Sequence, residues 1–154
     1  MLQPGDSAPA ISLYTHDKQP WSLADQPGQT LLLFFPGAFT SVCTTELNDV
    51  SNDLDRYANA GVNVVGISTD SPFALAEFHK VNMLRFPLLS DHDGEVAKAY
   101  GTKYDHDFTP MKLDRIAKRS AFLVGDDGML RYAEVLDNAG QQPNFEAIQA
   151  VING

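Results

Sequence analysis

The 154-residue sequence contains one cysteine, one tryptophan, and only eleven basic residues against twenty acidic ones. Each scarcity removes a class of protein. A single cysteine forbids an intrachain disulfide, which excludes a disulfide-stapled secreted domain, and a cysteine-rich zinc site falls with it. A formal net charge of −9 gives a field that repels polyanions, so no nucleic-acid partner is expected. Lys112, Arg115, Lys118 and Arg119 make only a short basic cluster, read mostly as a solvated helix face or loop. No stretch approaches the roughly 20 apolar residues of a membrane span. The opening Met1–Pro9 lacks the basic and apolar regions of a signal peptide, so no membrane association and a cytoplasmic location are the expectations.

Hydrophobic residues make up 44% and charged residues 20%, ordinary values for a globular chain. With no repeat, low-complexity tract or long linker, residues 1–154 read as one domain large enough to bury its own core. Ile11–Tyr14 alternates like a short half-buried strand, with Trp21–Leu23 as its return. Thr30–Phe35 is a continuous apolar run ended by Pro36-Gly37, and Val62–Ser68 is a second; both suit central strands covered on two faces. Between them Leu47, Val50, Leu54 and Tyr57 recur at helical spacing, so a strand–helix–strand unit with parallel pairing is predicted.

Ser71-Pro72 opens another helix, with Ser71 as N-cap and Leu75, Phe78 and Val81 as its buried face. Phe86–Leu89 reads as a short strand and Glu95–Tyr100 as a short helix stopped by Gly101. Ser120–Val124 and Met129–Val135 flank Asp126-Asp127-Gly128 as a hairpin. Pro143–Ile152 closes the chain as an amphipathic helix, with Phe145, Ile148 and Ile152 inward. The layout is α/β and thioredoxin-like: a central mixed sheet flanked by helices, with an N-terminal β-hairpin extension.

A lone cysteine is by default a small buried hydrophobe. Cys43 follows a buried strand, where an α/β fold gives way to a helix at the carboxyl end of its sheet. Thr40 or Ser41 caps that helix, which puts Cys43 in its first turn among N–H groups without intrahelical partners. Those donors and the helix dipole favour a thiolate, the nucleophilic form. Core packing asks for none of this.

Pro36-Gly37-Ala38-Phe39-Thr40-Ser41-Val42-Cys43 resembles the peroxiredoxin signature: Pro, three residues, Thr or Ser, two residues, then the attacking Cys. Cys43-Thr44-Thr45-Glu46-Leu47 extends the likeness toward the one-cysteine, alkyl-hydroperoxidase-type branch. The resemblance also takes in Gly5–Pro9, Phe86–Asp91 and Arg119–Val124, and so nearly the whole chain. It implies a thiol-dependent peroxidase in which Cys43 attacks a hydroperoxide and becomes a sulfenic acid. By the same resemblance Thr40, the Cys43 N–H and Arg119 stabilise the charge developing on the peroxide oxygens, and Arg119 also favours the thiolate. Pro36 is implied to shield the sulfur, and Glu46 to orient Arg119. Taken singly, Pro36 merely ends a strand, Thr40 caps a helix, Glu46 serves the helix dipole and Arg119 is a surface charge. Their joint spacing around one cysteine favours the functional reading.

Some members of this family resolve the sulfenic acid with a second cysteine five residues on; that position is Asn48 here. An external thiol, or a thioredoxin- or glutaredoxin-type reductant, is therefore the expected partner. The alternative is a peroxide-sensing thioredoxin-fold module whose Cys43 oxidation changes a partner contact. A cysteine hydrolase lacks a marked histidine. No cofactor and no metal are expected, because His16-Asp17, His92-Asp93 and His106-Asp107 fit no compact metal site and read as solvated loops. His79 reads as a helix residue and Arg85 as a surface charge. The resemblance implies a homodimer, for which Phe39, Phe108, Pro110 and Met111 are candidate interface residues.

Overall fold

The computed structural model describes residues 1–154. Strands β1 (Ser12–Thr15) and β2 (Pro20–Ser22) come first, then β3 (Gln29–Phe34), helices α1 (Ser41–Asn52) and α2 (Leu54–Asn59), and β4 (Val62–Ser68). Helix α3 (Pro72–Asn82), β5 (Leu88–Ser90), α4 (Glu95–Ala99), β6 (Ser120–Val124), β7 (Leu130–Val135) and α5 (Phe145–Asn153) complete the chain. All seven strands join one mixed sheet in the order β2-β1-β5-β4-β3-β6-β7. Strands β3, β4 and β5 run parallel, while β6 and β7 are antiparallel on one side and the β1–β2 hairpin on the other. No helix is long and apolar enough to cross a membrane.

The continuous apolar runs are explained by burial on both faces. Leu31, Leu33, Val62 and Val64 point into one core with Leu47, Tyr57, Phe78 and Ile148, from α1, α2, α3 and α5. Leu32, Phe34, Val65 and Ile67 point into a second core with Ala97 of α4, Tyr100, Ile11 and Trp21. Gly66 lies inside β4 at a crowded point, where a Cβ would come within 2.8 Å of the end of the Leu88 side chain and 3.2 Å of the Phe35 ring. The α3 start is as the sequence predicts: Ser71 Oγ accepts the Ala74 N–H at 3.2 Å and Pro72 occupies the first turn.

Three expectations are corrected. The helix read through Leu47, Val50, Leu54 and Tyr57 is two helices that break at Asp53, with all four side chains still on the core side. Val81 is 58% exposed, because α3 turns it away from the core that takes Leu75 and Phe78. The strand expected from Phe86 begins instead at Leu88. Pro87 has no N–H to give a ladder, and its carbonyl accepts the Gly66 N–H at 3.1 Å.

Candidate active site

The antiparallel pairing of β3 and β6 sets Phe34 opposite Ser120, so the residue before β6 lies beside the point where β3 ends. That residue is Arg119. The chain leaving β3 passes through Pro36–Thr40 and starts α1 at Ser41, bringing Cys43 and Glu46 to the same place on one helix face. Residues 76 apart in sequence thus meet: Arg119 Nη2 donates to Cys43 Sγ at 3.1 Å. Arg119 Nη1 donates to Glu46 Oε1 at 2.7 Å. The Ala139 carbonyl accepts from Nε at 3.2 Å and Nη2 at 3.0 Å, so the whole guanidinium fork is fixed.

Cys43 and Glu46 have no exposed surface and Arg119 is 2% exposed. Cys43 belongs to the apolar core of its sheet face, as an inert cysteine would. A buried guanidinium aimed at its sulfur is what an inert cysteine would not have. Thr40 is the N-cap residue of α1, yet its hydroxyl donates to the Gly37 carbonyl at 2.8 Å rather than capping the helix. The N–H groups of Ser41, Val42 and Cys43 consequently find no acceptor in the protein, and they line the start of α1 as free donors. Pro36 is buried at the loop entrance and Thr40 is exposed. The fold therefore brings Cys43, Arg119 and Glu46 into contact, with Pro36 and Thr40 flanking them and making no hydrogen bond to the sulfur.

Residues 4–133 match the AhpC/TSA family model. The peroxiredoxin homologue Rv2521 of Mycobacterium tuberculosis is 40% identical over 134 residues, 86% of this chain and 85% of that protein. Peroxiredoxin Bcp of Escherichia coli K12 is 37% identical over 132 residues, 85% of this chain and 84% of its own. The crystal structure of peroxidoxin BcpB from Mycobacterium tuberculosis superposes with a TM-score of 0.87 at 25% identity, covering 99% of this chain and 97% of that one. This chain belongs to the peroxiredoxin family. It is a thiol peroxidase, an oxidoreductase on a thioredoxin-like fold.

In this peroxiredoxin one cation serves two acids. Burial pushes the Glu46 carboxyl up to about 7 against the opposing pull of Arg119. Burial alone would lower Arg119, but the charges of Cys43 and Glu46 outweigh it and hold the guanidinium above the ordinary arginine range. Glu46 Oε2 is buried with no partner.

Two contributors escape sequence reasoning. The Ala139 carbonyl carries no side-chain signal; Asn138 and Gly140 mark only a turn. Asp70 accepts the Ala38 N–H at 2.8 Å, and its place just past β4, parallel to β3, was the one available cue. The other singled-out residues lie elsewhere. His16 stacks on His79 at 3.8 Å, His106 Nε2 lies 3.7 Å from Asp114, and His92 is exposed. Arg85 binds the Ser51 carbonyl and pairs with Asp55.

Proposed function

We propose that the enzyme runs a one-cysteine cycle on hydrogen peroxide and organic hydroperoxides, with Cys43 the only redox centre and an external thiol as reductant. The observation that carries this reading is the buried Arg119 Nη2 at 3.1 Å from the only thiol sulfur in the chain. Cys43 thiolate attacks the terminal peroxide oxygen; an S–O bond forms, the O–O bond breaks, and the departing alkoxide or hydroxide takes a proton. The free N–H groups at the start of α1 and Arg119 hold the charge that develops on the two oxygens, and the Thr40 hydroxyl joins them by turning its proton from the Gly37 carbonyl to the bound peroxide. Pro36 keeps water from the sulfur, and Glu46 and the Ala139 carbonyl hold Arg119 in place. Cys43 has no exposed surface, so a peroxide reaches it when the Pro36–Thr40 loop gives way.

The sulfenic acid then meets a thiol from solution, forming a mixed disulfide and water; a second thiol releases Cys43 and leaves as a disulfide. With Asn48 at the position five residues on, no internal thiol competes. The reducing cytoplasm supplies such thiols, which supports that location. Phe39 and Met111, 56% and 68% exposed, support a homodimer built near the site loops.

Stopped-flow mixing with hydrogen peroxide and cumene hydroperoxide, followed by turnover with an added thiol, tests the cycle. Cys43→Ser abolishes peroxide consumption. Arg119→Ala lowers the second-order oxidation rate by about a hundredfold or more, as expected for a donor to developing charge. A wild-type rate for Arg119→Ala rejects the mechanism, and rapid oxidation without thiol-driven turnover moves the protein to a sensor role.

A further inference from the structure

Carboxylate Asp70 lies outside the signature, yet it is the one side chain that ties the signature loop to the sheet. Its Oδ2 accepts the backbone N–H of Ala38 at 2.8 Å and the Ser68 hydroxyl at 2.7 Å. Ser68 Oγ in turn accepts the Asp70 N–H at 3.2 Å. Ser90 Oγ donates to the Asp70 carbonyl at 2.7 Å, and the Asp91 N–H to the Ser68 carbonyl at 2.8 Å. Ser68 and Ser90 are buried. The carboxyl ends of β4 and β5 therefore form a rigid mount that presents one carboxylate to the loop leaving β3.

That loop needs a mount. Phe39 sits at φ 66°, a left-handed conformation that a bulky side chain holds only when its surroundings impose it. Two ties do so: the Asp70 bond to the preceding residue, and the edge-on contact of the Phe39 ring with Phe78 at 5.1 Å. The turn at Phe39 directs the chain into α1, with the Thr40 hydroxyl closed back on Gly37. Ala38 is two residues after Pro36 and two before Thr40, so a shift of its N–H moves both flanks of the peroxide site.

We infer that Asp70 is a positioning residue for peroxide attack, acting through Ala38 on the Pro36–Thr40 loop. The inference rests on the peroxidase reading of Cys43. Asp70 does not touch Cys43, Glu46 or Arg119, so it leaves the nucleophile and its guanidinium partner intact. It governs geometry that a peroxide must meet and that a simple alkylating agent need not.

The test compares two reactions of the same sulfur in the full-length protein: oxidation by hydrogen peroxide in stopped flow, and alkylation by iodoacetamide across a range of pH. Asp70→Ala lowers the oxidation rate by about ten- to a hundredfold, the size expected of a small misplacement at a reacting centre. Its alkylation rate does not fall at any pH, because a loosened loop eases the entry that iodoacetamide also needs. Asp70→Asn, which keeps an oxygen for the Ala38 N–H, restores most of the rate. Should Asp70→Ala not fold, Ser68→Ala, which removes only the second support of Oδ2, gives a smaller loss of the same kind. Oxidation at the wild-type rate in whichever of these folds overturns the inference, as does an equal fractional change in oxidation and alkylation, the mark of general loosening. Slow oxidation of the wild type itself overturns instead the peroxidase reading.

Discussion

Glu46 gives one carboxylate oxygen to Arg119 and keeps the other buried without a partner, so its ionisation is opposed by burial and helped by one guanidinium that Cys43 also uses. With the folded value at about 7 and the ordinary value at 4.5, the folded protein holds its proton where the unfolded chain has lost it. The contribution to stability is therefore fully present below about 4.5 and is lost as pH rises through about 7. At roughly 1.4 kcal/mol per unit, the loss is on the order of 3 kcal/mol. Glu46→Gln removes the titration and keeps an oxygen for Arg119. The amide nitrogen it introduces is as unpartnered as Oε2, and that penalty is the same at every pH. Urea unfolding of both proteins at pH 5 and pH 8 isolates the titrating part: the variant gains on the wild type by up to about 3 kcal/mol between the two. A gap that does not change with pH would mean that Glu46 is ionised throughout. Because orientation of Arg119 survives, peroxide oxidation in the variant stays close to wild type.

The break between α1 and α2 shows how an element boundary can be set from far away in the chain. Apolar spacing runs unbroken from Leu47 to Tyr57, so nothing local calls for an interruption. Arg85, beyond α3, supplies it: its Nε and Nη2 donate to the Ser51 carbonyl at 3.0 and 2.6 Å, and its own N–H goes to Ser51 Oγ at 3.0 Å. The carbonyl that a continuous helix would offer to Asp55 is taken, and the chain turns at Asp53. Arg85→Ala leaves that carbonyl unmet and costs about 1.5–3 kcal/mol in urea unfolding, as for a hydrogen bond to a charged group. Lysine does not restore it, because one ammonium cannot reproduce the fork. Oxidation of Cys43 is unaffected; a slowed rate would tie this joint to the site. The same logic separates what was legible from what was not. Strands β3 and β4 were readable because burial on both faces writes an unbroken apolar run, and Cys43 with Glu46 because helical spacing places them together. Arg119 needed the resemblance, since its pairing with Cys43 depends on the register of β3 against β6. Asp70 and the Ala139 carbonyl act purely through space, and their neighbours in sequence say nothing of what they hold.

At the scale of the whole molecule the dominant quantity is charge, −9 over a domain of 154 residues. The one cation at the sulfur is sealed among Cys43, Glu46 and the Ala139 carbonyl, while Lys118 and Asp137 lie 3.7 Å apart outside it and largely cancel. Solution thiols approaching an oxidised Cys43 therefore meet a negative field before they meet Arg119. Such a field slows anions and weakens with salt, over a Debye length of about 10 Å at 0.1 M. The reacting form of each reductant is its thiolate, so 2-mercaptoethanesulfonate approaches as a doubly charged anion, 2-mercaptoethanol as a singly charged one and cysteamine as a zwitterion. Reduction of the Cys43 sulfenic acid, followed from about 0.01 to 0.2 M salt, accelerates most for the sulfonate, less for mercaptoethanol and not at all for cysteamine. The sulfonate gain is several-fold, in the range that steering by surface potential provides. Equal salt responses from all three would show that local charge at the α1 start, not the net charge of the domain, selects the reductant.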